Sequence, residues 1–191
     1  EKPRHPVRIP KPFYAGVYEV TQAEFERVMA QNPSSFTRRG VPVDNVSWYA
    51  AVEFCRRLSN LPAEKEAGRV YRLPTEAEWE SAAQNIAPGG GNQFDGAASP
   101  RPRAAAPTDA LTQMFGDVWE WTSSAYSPYP GYTVSEGALG EYNGKFMANQ
   151  IVLRGGSCAT PQNHIRPTYR NFFYAPNKWQ FMGFRLTRDA R

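Results

Sequence analysis

Helix signals in this sequence stop near residue 84, and that asymmetry limits the fold more than any other feature. Thr21-Gln22-Ala23-Glu24 and Thr75-Glu76-Ala77-Glu78 are capping boxes, in which the threonine oxygen and the glutamate each satisfy a backbone donor. The first predicts a helix that ends before Asn32-Pro33, the second a helix running to about Gln84. Between them Ser47 caps a third. Its apolar residues Trp48, Ala51, Val52, Cys55 and Leu58 recur at spacings of three and four, one buried stripe, and Pro62 ends it. Beyond Gln84 no helical period returns. Gly89-Gly90-Gly91 is a break, Ser99 to Pro107 is a Pro-, Arg- and Ala-rich loop, and Tyr126–Tyr132 interleaves Tyr, Pro and Gly as loops do. Ile151–Arg154, Ile165–Tyr169 and Gly183–Thr187 are short extended candidates. Three short helices followed by turns and short strands exclude a helical bundle and predict an α+β domain of low regular content.

Such a fold needs buried anchors in place of long strands. Aromatic residues are 14% of the chain, and Trp48, Trp79, Trp119 and Trp121 suit that task if each N–H finds an acceptor. At 191 residues the chain is one domain with room for a core that needs no disulfide staples. It carries no apolar run near the roughly 18 residues of a membrane span, so no membrane partner is expected. The net charge of +4 is scattered without a Lys/Arg block, which predicts a solvated basic surface and no nucleic-acid partner. His5 and His164 are the only histidines, too few for a three-histidine metal site. Cys55 lies on the helical stripe and reads as a small core residue. Cys158 follows a Gly-Gly turn and reads as buried, with only His164 as a conceivable basic partner. Glu1-Lys2-Pro3-Arg4 shows neither a signal-peptide pattern nor an initiating Met.

Several segments read together in order. They are Gly16-Val17-Tyr18-Glu19-Val20-Thr21, Pro42-Val43-Asp44-Asn45-Val46-Ser47-Trp48 and Arg72-Leu73-Pro74-Thr75-Glu76-Ala77-Glu78-Trp79-Glu80. Gly116-Asp117-Val118-Trp119-Glu120-Trp121, Leu153-Arg154-Gly155-Gly156-Ser157 and Gly183-Phe184-Arg185-Leu186 follow. The set resembles the formylglycine-generating-enzyme, or sulfatase-modifying factor, family over nearly the whole chain. The resemblance implies one domain over residues 1–191 with a modified C-type-lectin fold: small antiparallel sheets and about three helices. Residues 1–88 resemble the generic family half. Residues 89–191 look closer to one branch, the C-terminal lobe of the non-haem iron sulfoxide synthases of ergothioneine and ovothiol biosynthesis. Gly137–Phe146, Gly155–Pro161, His164–Phe173 and Trp179–Leu186 carry that narrower likeness.

The resemblance implies chemistry that the residue inventory then restricts. Formylglycine generation uses copper on two cysteines after the Gly-Gly-Ser motif. Their positions fall on Thr160 and Ile165, neither of which supplies the thiolate that Cu(I) needs, so this activity is not expected. In the resembled synthases Fe(II) is held by histidines of a separate helical domain, so Fe(II) enters only through a domain outside this sequence. The lobe alone is then not an active enzyme, but one wall of a pocket for a histidine betaine and a thiol. Asn171 and Phe172 match the betaine positions, an amide for the carboxylate and a ring for the trimethylammonium. Phe173 stands where one branch has an aspartate for an extended acidic thiol, and Asn177 and Lys178 stand where it has arginines. Both departures resemble the branch that takes cysteine. Trp179 and Phe181 complete the wall, and Asn171, Phe172 and Phe173 are expected side by side on a concave surface. A structural Ca²⁺ is also implied, on the carbonyls of Gly116 and Val118 and the side chains of Glu120 and Gln113. The location implied by the synthase likeness is cytoplasmic. The alternative is a non-catalytic lectin-like module that binds a ligand or protein through the loop Gln162 to Gln180, whose Asn, Tyr, Phe and Trp suit an interface.

Overall fold

The computed structural model describes residues 3–96, 99–134, 136–138, 140 and 146–190. Leu139 and Glu141 to Lys145 of the Gly137–Phe146 motif lie outside the described residues.

Both capping boxes form as the local sequence dictates. Thr21 opens α1 (Gln22–Met29) and Thr75 opens α4 (Glu76–Ala83), each with its glutamate closing back on the cap. Ser47 accepts from the Ala50 N–H at the start of α2 (Trp48–Ser59). Pro62 does not merely end that helix. It opens a further short helix, α3 (Pro62–Glu66), where the first position needs no N–H.

The first and last strands close the domain. β1 (Phe13–Ala15) pairs antiparallel with β6 (Thr187–Asp189), so the two ends of the chain meet in one ribbon. The central sheet has the order β4-β3-β2-β5. Its strands are β2 (Trp119–Ala125), β3 (Gln150–Arg154), β4 (Asn171–Tyr174) and β5 (Met182–Gly183). Of the three extended candidates, Ile151–Arg154 lies in β3. Gly183–Thr187 only touches β5 and β6. Ile165–Tyr169 is no strand; the pairing begins two residues later, at Asn171, opposite Leu153.

The pleat of this sheet divides the molecule. Trp119, Trp121 and Leu153 project to one side, where they join Phe25, Phe54 and Phe184 in the larger core. Phe25 stacks on Phe54 at 5.5 Å, and Phe184 meets both rings edge-on. Glu120 and Arg154 project to the other side, toward α4. There Trp79, Met114, Phe115 and Ile165 form the second core. Three tryptophans find the acceptors that their burial requires. Trp48 Nε1–H donates to the Thr122 carbonyl at 2.9 Å and Trp121 Nε1–H to the Val46 carbonyl at 2.8 Å. Trp79 Nε1–H donates to Glu120 Oε2 at 2.8 Å. The acidic residues of α4 mostly serve arginines rather than loop backbone. Glu76 binds Arg154 and Arg170, Glu80 binds Arg154, and Glu78 takes Arg72 through two bonds of 2.7 Å.

Candidate functional site

The Gly155-Gly156 turn determines where the loop after β3 goes. Both glycines have positive φ, 93° and 84°. A Cβ on Gly155 would come within 2.7 Å of the Met114 carbonyl oxygen, and one on Gly156 within 2.4 Å of the Ile165 Cδ1. Only glycine satisfies both the dihedral and the contact. The turn delivers Ser157 and Thr160 together: Ser157 N–H donates to Thr160 Oγ1 at 3.0 Å, and their hydroxyls lie 3.2 Å apart.

Those two residues form part of the wall of an open cavity of about 410 Å³ at the edge of the central sheet. Trp119, Tyr169, Trp179 and Phe181 contribute aromatic surface, and Asn171 and His164 contribute polar groups. Trp179 is 66% exposed, so aromatic surface reaches solvent at the cavity; Tyr174, at the end of β4, is 48% exposed on the other face of the strand. The His164 ring sits 4.4 Å from the Tyr169 ring.

The expected wall is therefore assembled only in part. Asn171, Trp179 and Phe181 come together around the cavity. Phe173 does not line it but meets the Trp179 ring edge-on at 5.6 Å and packs on the larger core. Phe172 points the other way, because successive residues of a strand alternate faces. It pairs with Val152, stacks on Tyr126 at 3.9 Å and approaches Phe146 at 6.0 Å. Asn171, Phe172 and Phe173 are thus not side by side. The polar lining by Ser157 and the aromatic lining by Trp119 and Tyr169 went unassigned from sequence. Trp119 reads there as scaffold, and nothing local marks Tyr169.

The positions considered for metal hold other partners. Glu120 is fully buried, and its carboxylate accepts from Trp79 and from Arg185 Nη2 at 2.9 Å. Arg185 also donates to the Gly16, Thr112 and Gln113 carbonyls at 2.7, 2.8 and 3.0 Å. The Gln113 amide donates to the Arg103 carbonyl and to Asp117. As arranged, Gln113 and Glu120 serve the guanidinium of Arg185 and the loop around it rather than a divalent cation, whatever the carbonyls of Gly116 and Val118 contribute. Among the described residues no three His, Cys, Asp or Glu side chains converge to hold a metal.

Neither cysteine is poised as a nucleophile. Burial pushes both thiols up to about 12, and nearby Asp117 and Glu19 add to the effect at Cys158. Thr160 offers a hydroxyl to the cavity wall, and Ile165 is buried in the second core. Incubation of the chain with Cu(I), dioxygen and a cysteine-containing sulfatase peptide should leave the cysteine unconverted by mass spectrometry. Formation of the aldehyde would overturn this assignment of Thr160 and Ile165.

Comparison with known proteins agrees with this architecture. The profile of the sulfatase-modifying factor enzyme 1-like domain matches residues 1–112 and 107–190. The chain belongs to the sulfatase-modifying factor family. Its sequence is 29% identical to a hercynine oxygenase of Mycolicibacterium smegmatis, over 100% of the chain and 56% of that protein. It is 32% identical to a hercynine oxygenase of Mycobacterium tuberculosis, over 78% of the chain and 37% of that protein. The chain thus spans about half or less of the length of these relatives. Among solved structures it resembles Treponema denticola variable protein 1, with a TM-score of 0.71 at 22% identity, covering 93% of this chain and 84% of that one. That likeness concerns the fold alone, which is the α+β, C-type-lectin-like fold of the family.

Proposed function

We propose that this sulfatase-modifying factor domain is the substrate-binding lobe of an ergothioneine-type sulfoxide synthase. It presents a histidine betaine to a thiol, cysteine in the reading from Phe173, Asn177 and Lys178. In the overall reaction the thiol S–H and a ring C–H of the betaine are lost and an S–C bond forms. Dioxygen gives one atom to the sulfoxide and the other to water. Fe(II) on a helical domain outside this chain would supply oxygen activation. This chain's own residues bind and orient. The observation that carries the reading is the cavity that pairs Asn171 with four aromatic rings. Aromatic faces attract a quaternary ammonium, and an amide N–H suits its carboxylate. Phe173 holds Trp179 at the rim, and Phe172 with Tyr126 forms a separate aromatic wall on the other face of β4. The hercynine oxygenase relatives support the substrate class.

An open half-pocket forfeits most ligand burial, so weak binding is expected. Titration with histidine betaine, followed by tryptophan fluorescence, should give a millimolar Kd. Histidine, which lacks the trimethylammonium, should bind roughly tenfold more weakly, and Trp179→Ala should cost about as much, on the order of 1 kcal/mol. Equal affinity for the two compounds, or no effect of the substitution, would sink the assignment. Such an outcome favours the second reading, a protein-binding module, which rests on the exposure of Trp179 and Tyr174 beside the same loop.

A further inference from the structure

A second groove, separate from the betaine cavity, lies between α2 and the segment that follows α3. It has a volume of about 700 Å³, within the range of small-molecule sites. Trp48, Val52 and Leu73 line it from below, and Val70 stands at its edge. Val52 is 38% and Val70 70% exposed, so the fold leaves apolar surface at this groove uncovered. Water-exposed apolar area that lines a concave site marks it for a ligand more than a scattered surface valine does.

The charged side chains that line this groove are basic, and its arginines are paired. Arg56, Lys65, Arg69 and Arg72 contribute to its lining, and no acidic side chain does. The acids that partner the arginines stand outside the lining: Glu53 binds Arg56, Glu64 binds Arg69, and Glu78 and Asp189 bind Arg72. These pairs fix and neutralise the guanidinium groups; Arg72 spends its donors on Glu78, Asp189, Thr187 and the Leu73 carbonyl, whereas Arg69 binds Glu64 through Nε and has Nη donors besides. Lys65 is exposed on α3 and makes no ion pair among the described residues. An apolar floor beside the Lys65 ammonium and the Arg69 guanidinium fits one class of occupant. We propose that this groove binds a small organic anion with an extended apolar body, such as a medium-chain carboxylate. The chain would lie over Val52 and Leu73, and the head group would meet Lys65 and the free N–H groups of Arg69. The site is independent of the betaine reading.

Dodecanoate below its micellar concentration is a suitable probe, with dodecyltrimethylammonium and dodecyl maltoside as cationic and neutral counterparts of equal tail length. Binding to the whole chain can be followed by ¹H–¹⁵N spectra, with shifts expected at Val52, Lys65 and Val70. Dodecanoate should bind at least tenfold more tightly than either counterpart. Lys65→Glu and Val70→Asp, both at exposed positions that folding tolerates, should each weaken it about tenfold and leave the response to histidine betaine unchanged. Equal binding of the three amphiphiles, shifts confined to the betaine cavity, or indifference to both substitutions would overturn the proposal. So would retention of the chain on phosphatidylglycerol vesicles without binding of monomeric dodecanoate.

Discussion

Replacing Arg185 by methionine should cost about 3–5 kcal/mol of stability, the usual penalty for removing one partner of a buried ion pair. Arg185 and Glu120 have side chains 1% and 0% exposed. Loss of the guanidinium would leave the Glu120 carboxylate in the interior with only the Trp79 indole N–H. It would also strip hydrogen-bond donors from the Gly16, Thr112 and Gln113 carbonyls, which come from two different loops. The size of the effect follows from the uncompensated charge more than from the lost attraction, since water would have solvated both groups in the unfolded chain. That distinction is testable. Adding Glu120→Gln to Arg185→Met removes the stranded charge and keeps an acceptor for Trp79, so the double variant should recover a substantial part of the loss. Urea unfolding followed by tryptophan fluorescence reads both numbers. A single variant within 1 kcal/mol of the parent, or a double variant no better than the single, would show that this pair does not anchor the fold.

Features governed by neighbours in sequence were legible. The Thr21 and Thr75 capping boxes and the Ser47 cap depend on residues three positions apart, so the chain specifies them locally. The family fold was legible because glycine turns and tryptophans occur in a fixed order. Strand β2 was not. Its first four residues are buried on both faces, so no alternation of polar and apolar residues marks it. β1 and β6 are three residues each and owe their existence to a partner at the far end of the chain, as with Phe13 and Asp189. No local pattern marks Arg154 and Arg185 as almost fully buried. Their acids, Glu76 and Glu120, lie 78 and 65 positions away. The candidate site shows the same division. Asn171, Trp179 and Phe181 were named from their segment, and they do meet at one cavity. Which face Phe172 takes depends on the register of β4 against β3, and its residues do not reveal that register.

The second large effect concerns Glu19 and depends on pH. Glu19 is fully buried beside Asp117, Glu120 and Arg185. It accepts a long 3.3 Å bond from the Val118 N–H, and its Oε2 has no hydrogen-bond partner. Burial is the main cause that holds its carboxyl well above the usual carboxylate range. Repulsion from Asp117 and Glu120 adds to this, and Arg185 opposes it. The folded chain therefore keeps a proton that the unfolded chain releases above about pH 4.5. The Glu19 contribution to folding stability falls as pH rises through that window, by up to about 1.4 kcal/mol per pH unit, until the folded carboxyl also ionises. The low-lying carboxyls of Glu78 and Asp189, held down by Arg72, act in the opposite sense and are lost only at acid pH. Comparison with Glu19→Gln isolates Glu19 and its coupling to Asp117, Glu120 and Arg185, because groups that do not touch it are common to both proteins. The glutamine keeps an acceptor for Val118 and carries no charge at any pH. Its stability relative to the parent should be nearly level at pH 4 and should grow as pH rises above about 4.5, until the folded carboxyl ionises. A difference that is constant across that range would mean that Glu19 is ionised in the folded protein, with Arg185 outweighing burial. A difference that grows toward acid pH would reverse the sign of the argument altogether.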